Sequence, residues 1–180
     1  MPIPQPLLKG TPHDYQIGHL VDMPPPGPAV PAARRLLTLS VPPRQRPEVW
    51  THAQKRRFVE GIFLGLGCGQ YVVNGSDWES DGQPKPMSAW LLDGQQRISA
   101  LRDFLAGDLV VFDDVSFPAM PPADQLRFKR RPFPCFELDY TDDENSLKEL
   151  YDRLNFSGTP HTAEQRVLPS PSIQKDARHD

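Results

Sequence analysis

Apolar and polar positions recur along this chain in runs that mark out a series of short elements. From Arg35 to Val41, the residues Leu36, Leu37, Leu39 and Val41 give a mixed alternation that predicts a short strand, ended by Pro42 and Pro43. Thr51 then opens a helix, with Gln54 three residues later as in a capping box. Phe58, Val59, Ile62, Phe63 and Leu66 give that helix one apolar face, and Gly65, Gly67 and Gly69 end it. Gln70 to Val73 predicts a strand, and the polar stretch from Asn74 to Met87 a long loop. The apolar run Ala89-Trp90-Leu91-Leu92 stops at Asp93-Gly94, after which Ile98, Leu101, Phe104 and Leu105 repeat at helical spacing. This predicts a strand, a tight turn and a helix. Further on, Asp108 to Phe117 begins with Leu109 to Phe112 and predicts a strand with Asp113-Asp114 in a turn, Ala123 to Lys129 a short helix, and Phe133 to Tyr140 another strand. Leu147, Leu150, Tyr151 and Leu154 then mark a helix that follows the acidic Thr141 to Glu144 and stops at Gly158 and Pro160.

Composition changes the picture at the ends. The chain has 180 residues, 38% of them hydrophobic, and 22 prolines. Such a length allows one domain with a real core, and the proline content predicts irregular termini. Residues 1–33 read as a proline-rich N-terminal arm, either a disordered leader or a strap packed on the domain. Residues 34–166 form the expected domain, and 167–180 a flexible polar tail. The formal net charge of -3 gives no global basic field for nucleic acid. Arg127, Lys129, Arg130 and Arg131 make the densest local basic cluster, either a solvated face or a contact for DNA backbone. Cys68 and Cys135 are too few and too far apart for a zinc site and read as reduced, buried thiols. Asp77, Glu79 and Asp81 suit an acidic surface loop better than a cation site. No stretch has the length of a transmembrane helix, and the N-terminus lacks the regions of a signal peptide, so a soluble, cytoplasmic protein is expected.

The turn at Asp93 to Arg97 carries the chemistry. Its polar residues occupy the first turn of a predicted helix, where N–H groups have no intrahelical partner and the dipole is positive. That place suits an anion, phosphate above all. Gly94 lets the backbone approach a ligand, and Arg97 adds a forked, permanently charged donor. An ordinary strand-to-helix turn with exposed polar residues would look the same.

Three stretches taken together are more specific. They are Pro42-Pro43-Arg44-Gln45-Arg46-Pro47-Glu48-Val49-Trp50, Leu92-Asp93-Gly94-Gln95-Gln96-Arg97-Ile98-Ser99-Ala100-Leu101, and Tyr151-Asp152-Arg153-Leu154-Asn155-Phe156-Ser157-Gly158-Thr159-Pro160. In this order they resemble the ParB/sulfiredoxin-like superfamily, in the branch whose signature is a DGQQR turn. That branch supplies the N-terminal, nucleotide-handling half of GmrSD-type and phosphorothioate-sensing restriction proteins. The resemblance spans roughly residues 36–165. In the third stretch family members commonly carry two adjacent glycines where this chain has Ser157-Gly158.

The resemblance implies an α+β fold, a small mixed sheet flanked by helices with the turn at the mouth of a cleft. It also implies binding and hydrolysis of a nucleoside triphosphate, with ParB-like DNA binding or nicking as an alternative and a non-catalytic regulator as a third. Carried over by position, Asp93, Gln95, Gln96 and Arg97 form the catalytic, phosphate-facing turn with Gly94. Gln45 and Arg46 approach from the preceding loop, and Asn155, Ser157, Gly158 and Thr159 close the other side. Gln95 or Gln96 would orient the attacking water, and Asp93 would either hold magnesium or fix the turn. The turn lacks the reactive cysteine of the sulfiredoxin branch, so that chemistry is not expected. His13, His19, His52, His161 and His179 show no His-Asn-His arrangement, so a domain without that nuclease is expected.

Overall fold

A computed structural model describes residues 9–23, 30–43, 45 and 47–156. The expected α+β class holds: helices pack on both sides of a small mixed four-stranded sheet. The sheet comprises β1 (Gly10–His13), β4 (Tyr71–Val73), β5 (Leu91–Asp93) and β6 (Cys135–Leu138), in the order β1-β6-β4-β5. β6 runs parallel to β4 and antiparallel to β1, and β4 runs antiparallel to β5.

Strand alternation decides which core each residue joins. Tyr71, Val73, Leu91 and Cys135 point to one face, where they meet α2 (His52–Phe63), α3 (Gln95–Ala106) and α4 (Pro122–Lys129). Val72, Leu92 and Leu138 point to the other, where Leu147 and Leu150 of α5 (Glu144–Phe156) cover them. The larger core is dense in aromatic rings. Phe104 is fully buried and meets Phe63, Phe117 and Phe128 at centroid distances of 5.8, 5.8 and 5.0 Å.

Local signals that close on themselves are found where the sequence predicts them. Thr51 caps α2 in a full capping box: its hydroxyl accepts from the Gln54 N–H, and Gln54 Oε1 accepts from the Thr51 N–H at 2.8 Å. Other expectations need correction. Arg35 to Val41 is not one strand but a hairpin of β2 (Arg35–Leu36) and β3 (Leu39–Ser40), because Leu37 takes a left-handed φ of 55°. Leu109 to Phe112 is not a strand either, although the expected turn at Asp113-Asp114 is present. Phe112 and Asp113 both have positive φ, so the chain doubles back and only Val111 and Val115 bridge. Leu66 lies beyond the end of α2 and is 78% exposed. Gly10 to Asp22, read as part of the arm, supplies the edge strand β1 and the helical turn α1 (His19–Asp22), and buries Ile17 and Leu20 completely.

Among the described residues no helix is long and apolar enough to cross a membrane. Both cysteines are buried and free, and burial pushes their thiols up, to about 11 for Cys68 and about 12 for Cys135.

Phe104→Ala removes the ring on which the aromatic core converges. The expected loss is about 3–5 kcal/mol, read as a lower denaturation midpoint with an unchanged slope.

Candidate functional site

β5 delivers Asp93 to the end of the sheet, and Gly94 turns the chain into α3 with a φ of 101°. Two facts require glycine there. The left-handed backbone excludes most side chains, and an added Cβ would lie 2.7 Å from the Tyr71 Cβ. No side chain caps α3, so its first N–H groups border an open cleft. Asp93, Gly94, Gln95, Gln96 and Arg97 line that cleft together with Trp50, Tyr151 and Asn155, around a space of about 460 Å³ open to solvent.

Each polar side chain of the turn has a distinct environment. Arg97 donates to Asp93 Oδ2 at 2.7 Å and more weakly to the Cys68 carbonyl at 3.4 Å. Its guanidinium lies against Gly69, where any Cβ would collide with it. Gln96 is engaged through both its amide oxygen and its amide nitrogen. Its Oε1 accepts from the Val49 and Trp50 N–H groups at 2.9 and 3.0 Å, and its Nε2 donates to the Pro47 carbonyl. This side chain therefore clamps the loop before α2 onto the first turn of α3. Gln95 lines the cleft with no side-chain hydrogen bond to the described residues. Asn155 donates to the Leu92 and Tyr151 carbonyls at 3.2 and 2.8 Å, tying the end of α5 to β5.

A charged cluster braces the same loop. Lys55, with its side chain 11% exposed, donates to Glu48 at 3.0 Å and to Asp103 at 2.6 Å. Arg102 donates to both carboxylates as well. Burial opposes the charged form of Glu48, yet the hydrogen bonds from Arg102 and Lys55 prevail and hold its carboxyl down at about 2. Lys55 is likewise desolvated, and its bonds to Asp103 and Glu48 raise its pKa. Sequence reasoning missed this cluster. Its signal was Lys55 itself, which shares the apolar stripe of α2 with Val59 and Ile62.

Gln45 lines a neighbouring apolar groove rather than the cleft. Arg46, Ser157, Gly158 and Thr159 lie outside the described residues. The basic cluster does not line the cleft; the backbone of Ile17 and Gly18 bonds to its Arg131 and Lys129. Two of its cations are already paired, Arg127 with Asp124 and Lys129 with Asp22. In the acidic loop Asp77 pairs with Lys85, and no group of three potential metal ligands occurs among the described residues. Trp50 and Tyr151, the aromatic walls of the cleft, were not singled out as site residues.

Residues 32–131 match the family described as the GmrSD restriction endonuclease, N-terminal domain. The chain belongs to this family. The matched span holds the clamped loop and the whole Asp93 to Arg97 turn, and it stops before β6 and α5. Membership sets this GmrSD-type domain in a restriction-related, nucleotide-processing context. No curated protein and no solved structure matches the chain.

Two outcomes test the bracing. Gln96→Ala leaves two N–H groups without their acceptor; about 1 kcal/mol of stability should be lost, and Trp50 emission should shift to the red. The Glu48 carboxyl is depressed in the folded state, so its contribution is present above its unfolded value of 4.5 and is lost as pH falls toward 2. Chemical denaturation should therefore show wild type exceeding Glu48→Gln at neutral pH, with the gap closing between those two values.

Proposed function

We propose that this domain binds a nucleoside triphosphate with its phosphates in the cleft at Asp93 to Arg97 and hydrolyses it. The observation behind this reading is the uncapped start of α3, which opens beside Arg97 onto a polar cleft. Backbone N–H groups and the helix dipole favour an anion there, and the forked guanidinium suits phosphate oxygens. Arg97 reaches the site already oriented by Asp93 and the Cys68 carbonyl, so little freedom is lost when a ligand arrives.

The roles then divide. Arg97 and the helix N-terminus stabilise the charge that grows on the transferred phosphoryl group. Gln95 is the residue for orienting the attacking water, because Gln96 is committed to the loop. Asp93 uses Oδ2 for Arg97, and its Oδ1 accepts no hydrogen bond from the described residues. One free carboxylate oxygen beside the phosphates fits magnesium, which takes few protein ligands and would neutralise phosphate charge. Arg46, Ser157, Gly158 and Thr159 remain candidates for the same cleft by position in the sequence alone. The DNA-binding alternative gains no support from the basic cluster, which does not line the cleft and has two of its four cations already paired.

A panel of nucleoside triphosphates with magnesium tests the proposal by phosphate release and by calorimetric binding. Gln95→Ala should lower kcat by about 10²-fold with little change in affinity. Arg97→Ala should weaken both binding and turnover, and Arg97→Lys should restore only part of the binding. A folded wild-type protein that binds none of the nucleotides would defeat the proposal.

A further inference from the structure

Beside the phosphate cleft lies a shallow apolar groove open to solvent, walled by Pro42, Pro43, Trp90, Leu92, Leu147 and Tyr151. We infer that this groove seats the nucleobase, an assignment that rests on the nucleotide reading above. The two depressions share a wall. Tyr151 lines both, and consecutive residues of β5 serve one each, Leu92 the groove and Asp93 the cleft. From Trp90 to Asp93 the strand advances three residues, roughly 10 Å, the scale on which a sugar separates a base from its outer phosphates. A single nucleotide is long enough to reach both.

The chemistry of the walls agrees. Two aromatic rings and two proline faces offer flat apolar surface, which a base of any identity can stack on. Arg34 lies over the Trp90 ring, its guanidinium 5.8 Å from the ring centre, which leaves one face of the ring for a base. The charged groups on the rim, Lys148 and Glu144, neutralise each other at 3.0 Å, so no excess charge repels a neutral base. One polar atom breaks the apolar lining. Gln45 Oε1 is buried and has no hydrogen-bond partner among the described residues. Buried acceptors without a donor are rare in folded proteins. An N–H on the edge of a base supplies the missing donor, which assigns Gln45 to the base rather than to the phosphates.

The test compares β,γ-imido analogues of the four nucleoside triphosphates with inorganic tripolyphosphate, each with magnesium and the full chain. At least one nucleotide should bind ten-fold or more tightly than tripolyphosphate. Gln45→Ala should reduce that preference about three- to ten-fold and leave tripolyphosphate affinity unchanged, which also shows that the variant is folded. Nucleotide should quench tryptophan emission beyond the effect of tripolyphosphate, and Trp90→Phe should abolish the difference. Equal binding of tripolyphosphate and every nucleotide, with no difference in quenching, overturns the base seat and leaves the phosphate reading standing. A Gln45→Ala variant that weakens both ligands equally overturns the role given to Gln45. If neither class of ligand binds, both readings fall.

Discussion

The close approach of Gly94 to Tyr71 is the contact on which the rest of the site depends. β4 and β5 are neighbours in the sheet, and the turn after β5 must clear the side chain that begins β4. With a hydrogen in place of a Cβ, the backbone clears Tyr71 and adopts the left-handed geometry that aims α3 back across the sheet. Tyr71 is itself buried against Phe133, so it cannot move aside to admit a side chain. The same packing leaves the first N–H groups of α3 without a capping side chain, and they remain available at the cleft. Arg97 is one turn further on and uses the room above Gly69. Glycine is thus required on both sides of the guanidinium.

Around that contact the domain brings together parts that are distant in sequence. The loop before α2 is fastened by Gln96 at one point and by Lys55, Arg102 and Asp103 through Glu48 at another. α5 covers the opposite face of the sheet, and its end returns to β5 through Asn155. The cleft lies where these meet, at the end of the strand whose alternate residues enter the two cores. A surface salt bridge contributes little on its own. A half-buried set of four charges, each with more than one partner, instead resists rearrangement, because removing one member strands another.

Much of the fold was legible where a signal is local. The capping box at Thr51, the helix after Asp93-Gly94 and the apolar stripe of α5 all arise from residues three or four apart, and they are found as expected. Signals that depend on distant partners were misread. Leu36 to Val41 looked continuous because its apolar residues alternate, and nothing nearby revealed the left-handed turn at Leu37. Gly10 to His13 looked like part of an arm because its pairing partner, β6, lies more than a hundred residues away. Gln95 and Gln96 are identical in type and adjacent, yet one is committed to Pro47, Val49 and Trp50 while the other is left at the cleft.

The sequence by itself determined the turn. Asp93-Gly94 before a periodic helix places a glycine and an uncapped N-terminus at the end of a strand, and this follows from spacing and residue type alone. It also carried the order of the polar stretches that belong to the family. Only the tertiary structure decided which side chains of those stretches share a cleft. Burial, alternation across the sheet and the reach of each amide separate Gln95 from Gln96, move Gln45 to the neighbouring groove and leave the basic cluster outside the cleft. Those outcomes depend on contacts between segments that no local pattern encodes.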